Sequence, residues 1–176
     1  MTPPRRNIEL KARYVDLARA VEVVKKLHAR LDRSMTQVDT YFHAPNGRLK
    51  LREITTAAGA ASAELIAYDR SDSTEFRDSQ YFVVPVPDPA LLKAALTAAC
   101  GLRGVVRKHR DVYLFHNVRI HLDQVDRLGS FIEFEAVISE GESDATSLTR
   151  LDQLHAALDV KEADHERGSY SDLLGI

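Results

Sequence analysis

Asn7-Ile8-Glu9-Leu10-Lys11-Ala12-Arg13-Tyr14 alternates polar and apolar side chains at almost every step. In an extended chain that period sends Ile8, Leu10 and Ala12 to one face and Asn7, Glu9, Lys11 and Arg13 to the other. The segment is expected to be a half-buried strand, and most of its polar face is full charge rather than neutral polar groups. The pattern recurs along the chain. Arg48, Lys50 and Arg52 share a face, as do Lys108 and Arg110; Arg119, His121 and Asp123 alternate with Val118, Ile120 and Leu122. Glu133 and Glu135 alternate with Ile132, Phe134 and Ala136.

A solvated sheet face explains any one of these strands, because exposed cross-strand ion pairs contribute only about 0–1 kcal/mol each. Five such strands call for a fold with two distinct faces. Eight strands closed into a barrel provide one: an outer apolar face for amphipathic helices to cover, and a charged face lining the interior. A charged interior is costly unless a counter-charged ligand fills it. Clustered Arg and Lys suit phosphate oxygens, and clustered carboxylates without a local basic partner suit a hard cation such as Mg²⁺ or Mn²⁺. An open sheet with one solvated face and no central cavity is the competing reading.

The rest of the chain fits a single α+β domain over residues 1–176, an eight-stranded antiparallel barrel with about three helices. Asp16 is read as capping a helix that runs to about Leu31, with Leu17, Val21, Val24 and Leu27 as its apolar stripe. Strands are expected near 36–43, 48–54, 63–70, 76–86, 104–115, 117–126 and 130–138. Pro45-Asn46-Gly47 reads as a hairpin turn, and Thr55–Ser62, Ser71–Thr74 and Gly141–Ser147 read as loops. A second helix is expected between Pro89 and Gly101, and a third from Leu148 to Leu158. Net charge is −2, from 24 basic and 26 acidic residues, which argues against a general attraction to nucleic acid or membrane. Cys100 is the sole cysteine; it excludes an intramolecular disulfide and a thiolate metal cage, and its apolar neighbours make it a packing thiol. Met1-Thr-Pro-Pro-Arg-Arg has no apolar signal-like run, and a cytoplasmic location is expected.

The charged strands resemble the CYTH superfamily of triphosphate tunnel metalloenzymes. Asn7-Ile8-Glu9-Leu10-Lys11 is similar to its Glu-x-Glu-x-Lys first strand, with Asn in place of the first Glu. Asp39-Thr40-Tyr41-Phe42, Leu49-Lys50-Leu51-Arg52-Glu53 and Val105-Val106-Arg107-Lys108-His109-Arg110 resemble later strands. Asn117–Asp126 with Leu128–Glu135 resembles the late acidic hairpin, and Ser169-Tyr170 with Leu173-Leu174-Gly175 resembles the tail of class IV adenylate cyclases. By that resemblance Glu9, Glu133 and Glu135 hold the metal, with Asp123 a further ligand. Lys11, Arg52, Lys108, Arg110 and Arg119 bind phosphates, Lys50 being a weaker candidate, and Lys11 and Glu9 are the catalytic pair. His121 is open between ligand contact and packing, whereas His43, His109 and His155 read as surface or turn residues. Tyr68 stands where many relatives offer a Lys, with Arg70 on the same face.

The resemblance implies a divalent-metal-dependent enzyme on a small-molecule triphosphate, with neither nucleic acid nor membrane as partner and a homodimer left open. In a cyclase, ATP closes to cyclic AMP and releases pyrophosphate. In a triphosphatase, water attacks tripolyphosphate, thiamine triphosphate or a nucleoside triphosphate. A non-catalytic binder of polyphosphate or organic phosphates is the third reading, prompted by Asn7.

Overall fold

The computed structural model describes residues 5–70, 77–138 and 143–176, leaving aside the side chains of Arg5, Arg70, Arg77 and Asp78. The Ser71–Thr74 loop, the start of the Gly141–Ser147 loop and Met1–Pro4 therefore lie outside the described residues. Eight strands follow in chain order: β1 (Arg5–Arg13), β2 (Arg30–Phe42), β3 (Arg48–Thr56), β4 (Ala61–Arg70), β5 (Arg77–Pro85), β6 (Leu102–Phe115), β7 (Val118–Val125) and β8 (Gly129–Ile138). They close into a barrel in the order β1-β5-β4-β3-β2-β6-β7-β8, every pairing antiparallel. Closure leaves no strand edge and gives each strand one inward and one outward face.

α1 (Leu17–Lys26) is shorter than its periodicity implied. Leu27 caps it, His28 takes φ 61°, and the chain re-enters the barrel at Arg30. Leu31, next in line for the apolar stripe, is instead 52% exposed on a strand. The strand wins because β2 pairs with the long β6 from Arg30↔Leu114 to Phe42↔Leu102. α2 (Pro89–Cys100) matches expectation, capped by Asp88 and stopped at Gly101. α3 (Asp144–Ala157) begins four residues before the expected Leu148, because the Ser143 side chain accepts from the Thr146 amide. The tail adds a one-turn 3₁₀ segment (Glu162–Asp164) and α4 (Tyr170–Leu173), the latter fixed by a Ser169/Asp172 capping box.

Three helices pack on the outer apolar face. Ala20 and Val24 of α1 and Leu151 and Leu154 of α3 join Leu10, Ile120, Ile132 and Phe134 in one core. Leu92, Leu96 and the half-buried Cys100 of α2 pack against Phe42, Leu51 and Ala63. The helices do not cover the whole exterior: Phe82 and Val84 of β5 point outward and are about half exposed. The last residues close one end of the barrel, where Tyr170, Leu173, Leu174 and Ile176 pack with inward-facing Tyr41, Val106, Val125 and Phe131. No helix among the described residues is long and apolar enough to cross a membrane.

Candidate active site

The interior above that closed end is a cavity of about 380 Å³. Among the described residues, seven cationic side chains line it (Lys11, Arg33, Lys50, Arg52, Lys108, Arg110 and Arg119) against five carboxylates (Glu9, Asp39, Glu64, Glu133 and Glu135). The charged faces read from the sequence therefore turn inward, and the open-sheet reading is excluded.

Strand register gathers these groups into three sets. β2 and β3 pair Asp39 with Arg52 and Tyr41 with Lys50, and β2 and β6 pair Gln37 with Lys108. Directly opposed side chains sit about 5 Å apart and diagonal ones within reach of long side chains, so three cations converge on one carboxylate. Arg52 donates to Asp39 through Nε at 2.7 Å and Nη2 at 2.8 Å, Lys108 Nζ at 2.9 Å and Lys50 Nζ at 3.1 Å. Burial alone would raise the Asp39 pKa, but Arg52, Lys108 and Lys50 hold it well below the usual carboxylate range. The lysines feel the reverse. Burial and Arg52 push Lys50 well down, and burial, only partly offset by Asp39, brings Lys108 to about 8.

The second set centres on Arg110. Asp123, opposite it on β7, accepts from Arg110 Nε at 2.6 Å and from Nη2, and Tyr170 donates its hydroxyl to the same carboxylate at 2.6 Å. Asp123 is fully buried and does not line the cavity. Its oxygens accept from a guanidinium and a phenol, which makes it the anchor of Arg110 in this structure.

The third set lies across β1, β7 and β8. Glu9 faces Glu135 and Lys11 faces Glu133. Glu133 takes Arg110 Nη2 at 2.9 Å, His121 Nδ1 at 3.2 Å and Lys11 Nζ at 3.7 Å. Glu135 accepts from Asn7 Nδ2, and Arg119 Nε stands 2.8 Å away, out of line for a hydrogen bond. His121 lies in the cavity between Glu133 and Glu135, and burial and Arg110 push its pKa down, so it is a neutral imidazole near pH 7. Lys11 sits 3.9 Å over the Tyr170 ring, a cation–π contact from the closed end.

Of the expected site residues, Glu9, Lys11, Lys50, Arg52, Lys108, Arg110, Arg119, Glu133 and Glu135 all line the one cavity. Arg13 and Arg48 share the charged face in sequence but serve the tail, pairing with Glu166 at 2.6 Å and Asp172 at 2.9 Å. Tyr68 lines the cavity with Lys50 5.2 Å from its ring, and the Arg70 side chain lies outside the described residues. His43 and His109 are exposed, and His155 is half-buried against His165. Asp39 and Tyr170 were missed as functional residues. The alternation Met35, Gln37, Asp39, Tyr41 carried a signal for the first; the tail resemblance at Ser169-Tyr170 pointed to the second without giving it a role.

Glu9, Glu133 and Glu135 are hard oxygen donors on adjoining strand positions, and in kind they fit a divalent cation. In this structure Glu133 and Glu135 are ion-paired, and among the described residues no three acidic, imidazole or thiol groups are drawn together as a metal cluster.

A closed eight-stranded antiparallel barrel with a charged interior, in which cations outnumber carboxylates among the described residues, defines the class of protein. The chain belongs to the CYTH family, whose domain model matches residues 5–170. A Methanocaldococcus jannaschii protein named as a candidate adenylate cyclase is 23% identical, over 97% of this chain and 99% of its own. A Pyrococcus horikoshii protein of solved structure superposes with a TM-score of 0.78 at 25% identity, over 95% of this chain and 98% of its own. A Hippeastrum candidate adenylyl cyclase with a dominant triphosphatase activity shares the fold at a TM-score of 0.60 and 14% identity, over 94% and 91% of the two chains. Members of the family are generally enzymes and generally use divalent metal ions.

Proposed function

We propose that this chain is a divalent-metal-dependent enzyme acting on a triphosphate held in the barrel, of the class IV adenylate cyclase type, converting ATP to cyclic AMP and pyrophosphate. One observation supports the reading: Lys50, Arg52 and Lys108 share the single carboxylate of Asp39 inside the barrel cavity. Three buried cations on one anion form a site short of negative charge, and a triphosphate supplies several charges.

The residues divide the work by position. Lys50, Arg52 and Lys108 take phosphate oxygens on the β2–β3–β6 side, and Lys11, Arg110 and Arg119 take them on the β1–β7–β8 side. Arg110 is oriented before any ligand arrives, because Asp123 and Tyr170 fix its guanidinium, so it stabilises charge developing on the phosphates without reorganisation. Glu9, Glu133 and Glu135 would hold Mg²⁺ or Mn²⁺, and Lys11 and Glu9 would be the catalytic pair. The ion supplies Lewis-acid neutralisation of phosphate oxygens. His121, neutral between two carboxylates, is placed to take up or release a proton as they exchange partners.

Triphosphate hydrolysis is the second reading, favoured by the activity of the Hippeastrum structural neighbour. The test is turnover of ATP, thiamine triphosphate and tripolyphosphate with Mg²⁺ or Mn²⁺ and in chelator. Cyclic AMP with pyrophosphate supports the cyclase, and inorganic phosphate supports the triphosphatase. Tight binding without turnover under either metal leaves a phosphate binder and sinks the enzyme.

A further inference from the structure

After α3 the chain returns to the barrel as a strap. Asp159 turns it with φ 52°, Val160 is buried in the outer core, and Tyr170 is buried again at the closed end. Between these anchors, residues 161–168 lie against β1. The described register of β5 on β1 ends at Glu9↔Arg77, and further along the same strand the strap takes over. Ala12 and His165 form an antiparallel bridge, the Glu166 amide donates to the Lys11 carbonyl at 2.9 Å, and Arg13 meets the Glu166 carboxylate at 2.6 Å. The strap therefore rests on the strand that presents Glu9 and Lys11 to the cavity.

One side-chain contact ties the strap to α3. His155, in the last turn of the helix, and His165 are both half-buried, with their Nε2 atoms 2.9 Å apart. The ring centroids are 5.1 Å apart and the planes cross at 75°, so the two nitrogens point nearly head-on at each other. A metal in line between them would need about 4 Å, twice the ~2.0–2.1 Å of a histidine–metal bond. A single hydrogen fits. One ring donates its Nε2–H and the other accepts through its Nε2 lone pair. A first added proton goes to the Nδ1 of the donor ring and leaves the contact intact. A second places hydrogen on both facing nitrogens and sets two like charges against each other.

The charges around the pair are Asp152 on α3, Glu162 in the 3₁₀ turn, and Glu166, which is tied to Arg13 of β1. Asp152 and Glu162 favour the charged form of His155, but burial and His165 outweigh them and push its pKa down. The native fold then binds fewer protons here than the unfolded chain does. The contribution of the contact is complete well above the ordinary histidine value of about 6.5 and is lost as pH falls below it.

We infer that His155 and His165 form a pH-sensitive latch: near neutral pH their shared hydrogen holds residues 161–168 on β1, and in mild acid, with both rings protonated, the strap is released. The latch needs no ligand and stands apart from the triphosphate reading. Its release reaches the site through Lys11, whose carbonyl accepts from the strap and whose side chain lines the cavity.

The experiment is hydrogen–deuterium exchange on the full chain in chelator at pH 7.5 and pH 5.5, expressed as protection relative to intrinsic exchange at each pH. The peptide over 161–168 reports the amides of Asp164, His165 and Glu166, bonded to the carbonyls of Lys161, Glu162 and Lys11 at 2.9, 3.1 and 2.9 Å. The peptide over 129–138, in β8, reports the barrel. Strap protection is expected to fall at least about fivefold at the lower pH, the factor that one lost hydrogen bond gives, while β8 stays within about twofold. His155→Gln and, separately, His165→Gln replace an imidazole with an amide that does not ionise, and each should cut the pH difference in the strap to under about twofold with β8 still protected. Equal strap protection at the two pH values in the native chain overturns the latch, as does a pH difference of native size in both variants. Loss of β8 protection in step with the strap overturns it too, because acid then acts on the whole fold.

Discussion

Asp39→Asn removes one negative charge from the middle of the barrel and keeps the shape of the side chain. Asp39 is 1% exposed and takes two hydrogen bonds from Arg52 and one each from Lys50 and Lys108. Deleting one partner of a buried ion pair costs about 3–5 kcal/mol because the other charge is left uncompensated. Here three cations are left, but Lys50 and Lys108 are already held below the usual lysine range and can each release a proton. That escape places the expected loss near the lower bound, about 3 kcal/mol, or roughly 6–12 °C in melting temperature for a chain of this size.

The same substitution should tighten triphosphate binding, because the ligand no longer competes with Asp39 for Arg52, Lys50 and Lys108. Thermal melts of both proteins, with and without saturating tripolyphosphate in chelator, measure both effects. The variant is expected to melt lower alone and to gain more from the ligand than the native chain does. Equal melting temperatures without ligand, together with equal ligand-induced gains, would refute the view that Asp39 holds the place of a phosphate.

Glu133→Gln combined with Glu135→Gln should abolish Mg²⁺- or Mn²⁺-dependent turnover while tripolyphosphate still binds in chelator; loss of that binding would make the two carboxylates structural. Lys108 has its pKa near 8, below the ordinary lysine value, first through burial and then through Arg52 and Arg110. Its neutral form is favoured in the fold, so the stability contribution rises with pH between about 8 and 10.5, whereas phosphate needs the charged form. Tripolyphosphate affinity should therefore fall from pH 7 to pH 9 with proton uptake on binding, and calorimetry in buffers of different ionisation enthalpy that finds neither effect would remove Lys108 from the site. Tyr170→Phe deletes the donor to buried Asp123 and should cost about 1–3 kcal/mol in denaturant unfolding. If Tyr170 also positions Arg110, the variant weakens tripolyphosphate binding, and unchanged affinity would limit its role to closing the barrel.

The charged faces were legible because a barrel strand displays its inside and outside as alternate letters. Glu9, Lys11, Lys108, Arg110, Glu133 and Glu135 could be assigned to one interior before any coordinates. Period two does not say how far along the barrel a residue sits. Arg13 and Arg48 share the face of Lys11 and Lys50, yet they reach the tail at the rim. Partner choice was likewise hidden, since it depends on pairings distant in sequence: Asp123 meets Arg110 across 13 residues and Tyr170 across 47. The end of α1 was misplaced because Leu31 kept the helical period after the backbone had turned at His28.

Those hidden pairings bear on how the interior can be stable with no ligand. Every buried cation the ligand needs already has a carboxylate: Asp39 for Lys50, Arg52 and Lys108, Asp123 and Glu133 for Arg110, Glu133 for Lys11, and Glu135 for Arg119. These carboxylates differ in what ligand binding asks of them. Asp123 is buried behind Arg110 and Tyr170 and does not line the cavity. Glu133 and Glu135 line the cavity, and exchanging Lys11, Arg110 and Arg119 for a cation frees those side chains for phosphate. On the proposed function, metal and triphosphate binding would then be linked, because each would take up the charges the other releases. Tripolyphosphate should bind more tightly with Mg²⁺ than in chelator, and Glu133→Gln with Glu135→Gln should erase that difference. Equal affinities in the native chain would mean that the two ion-pair sets do not exchange partners.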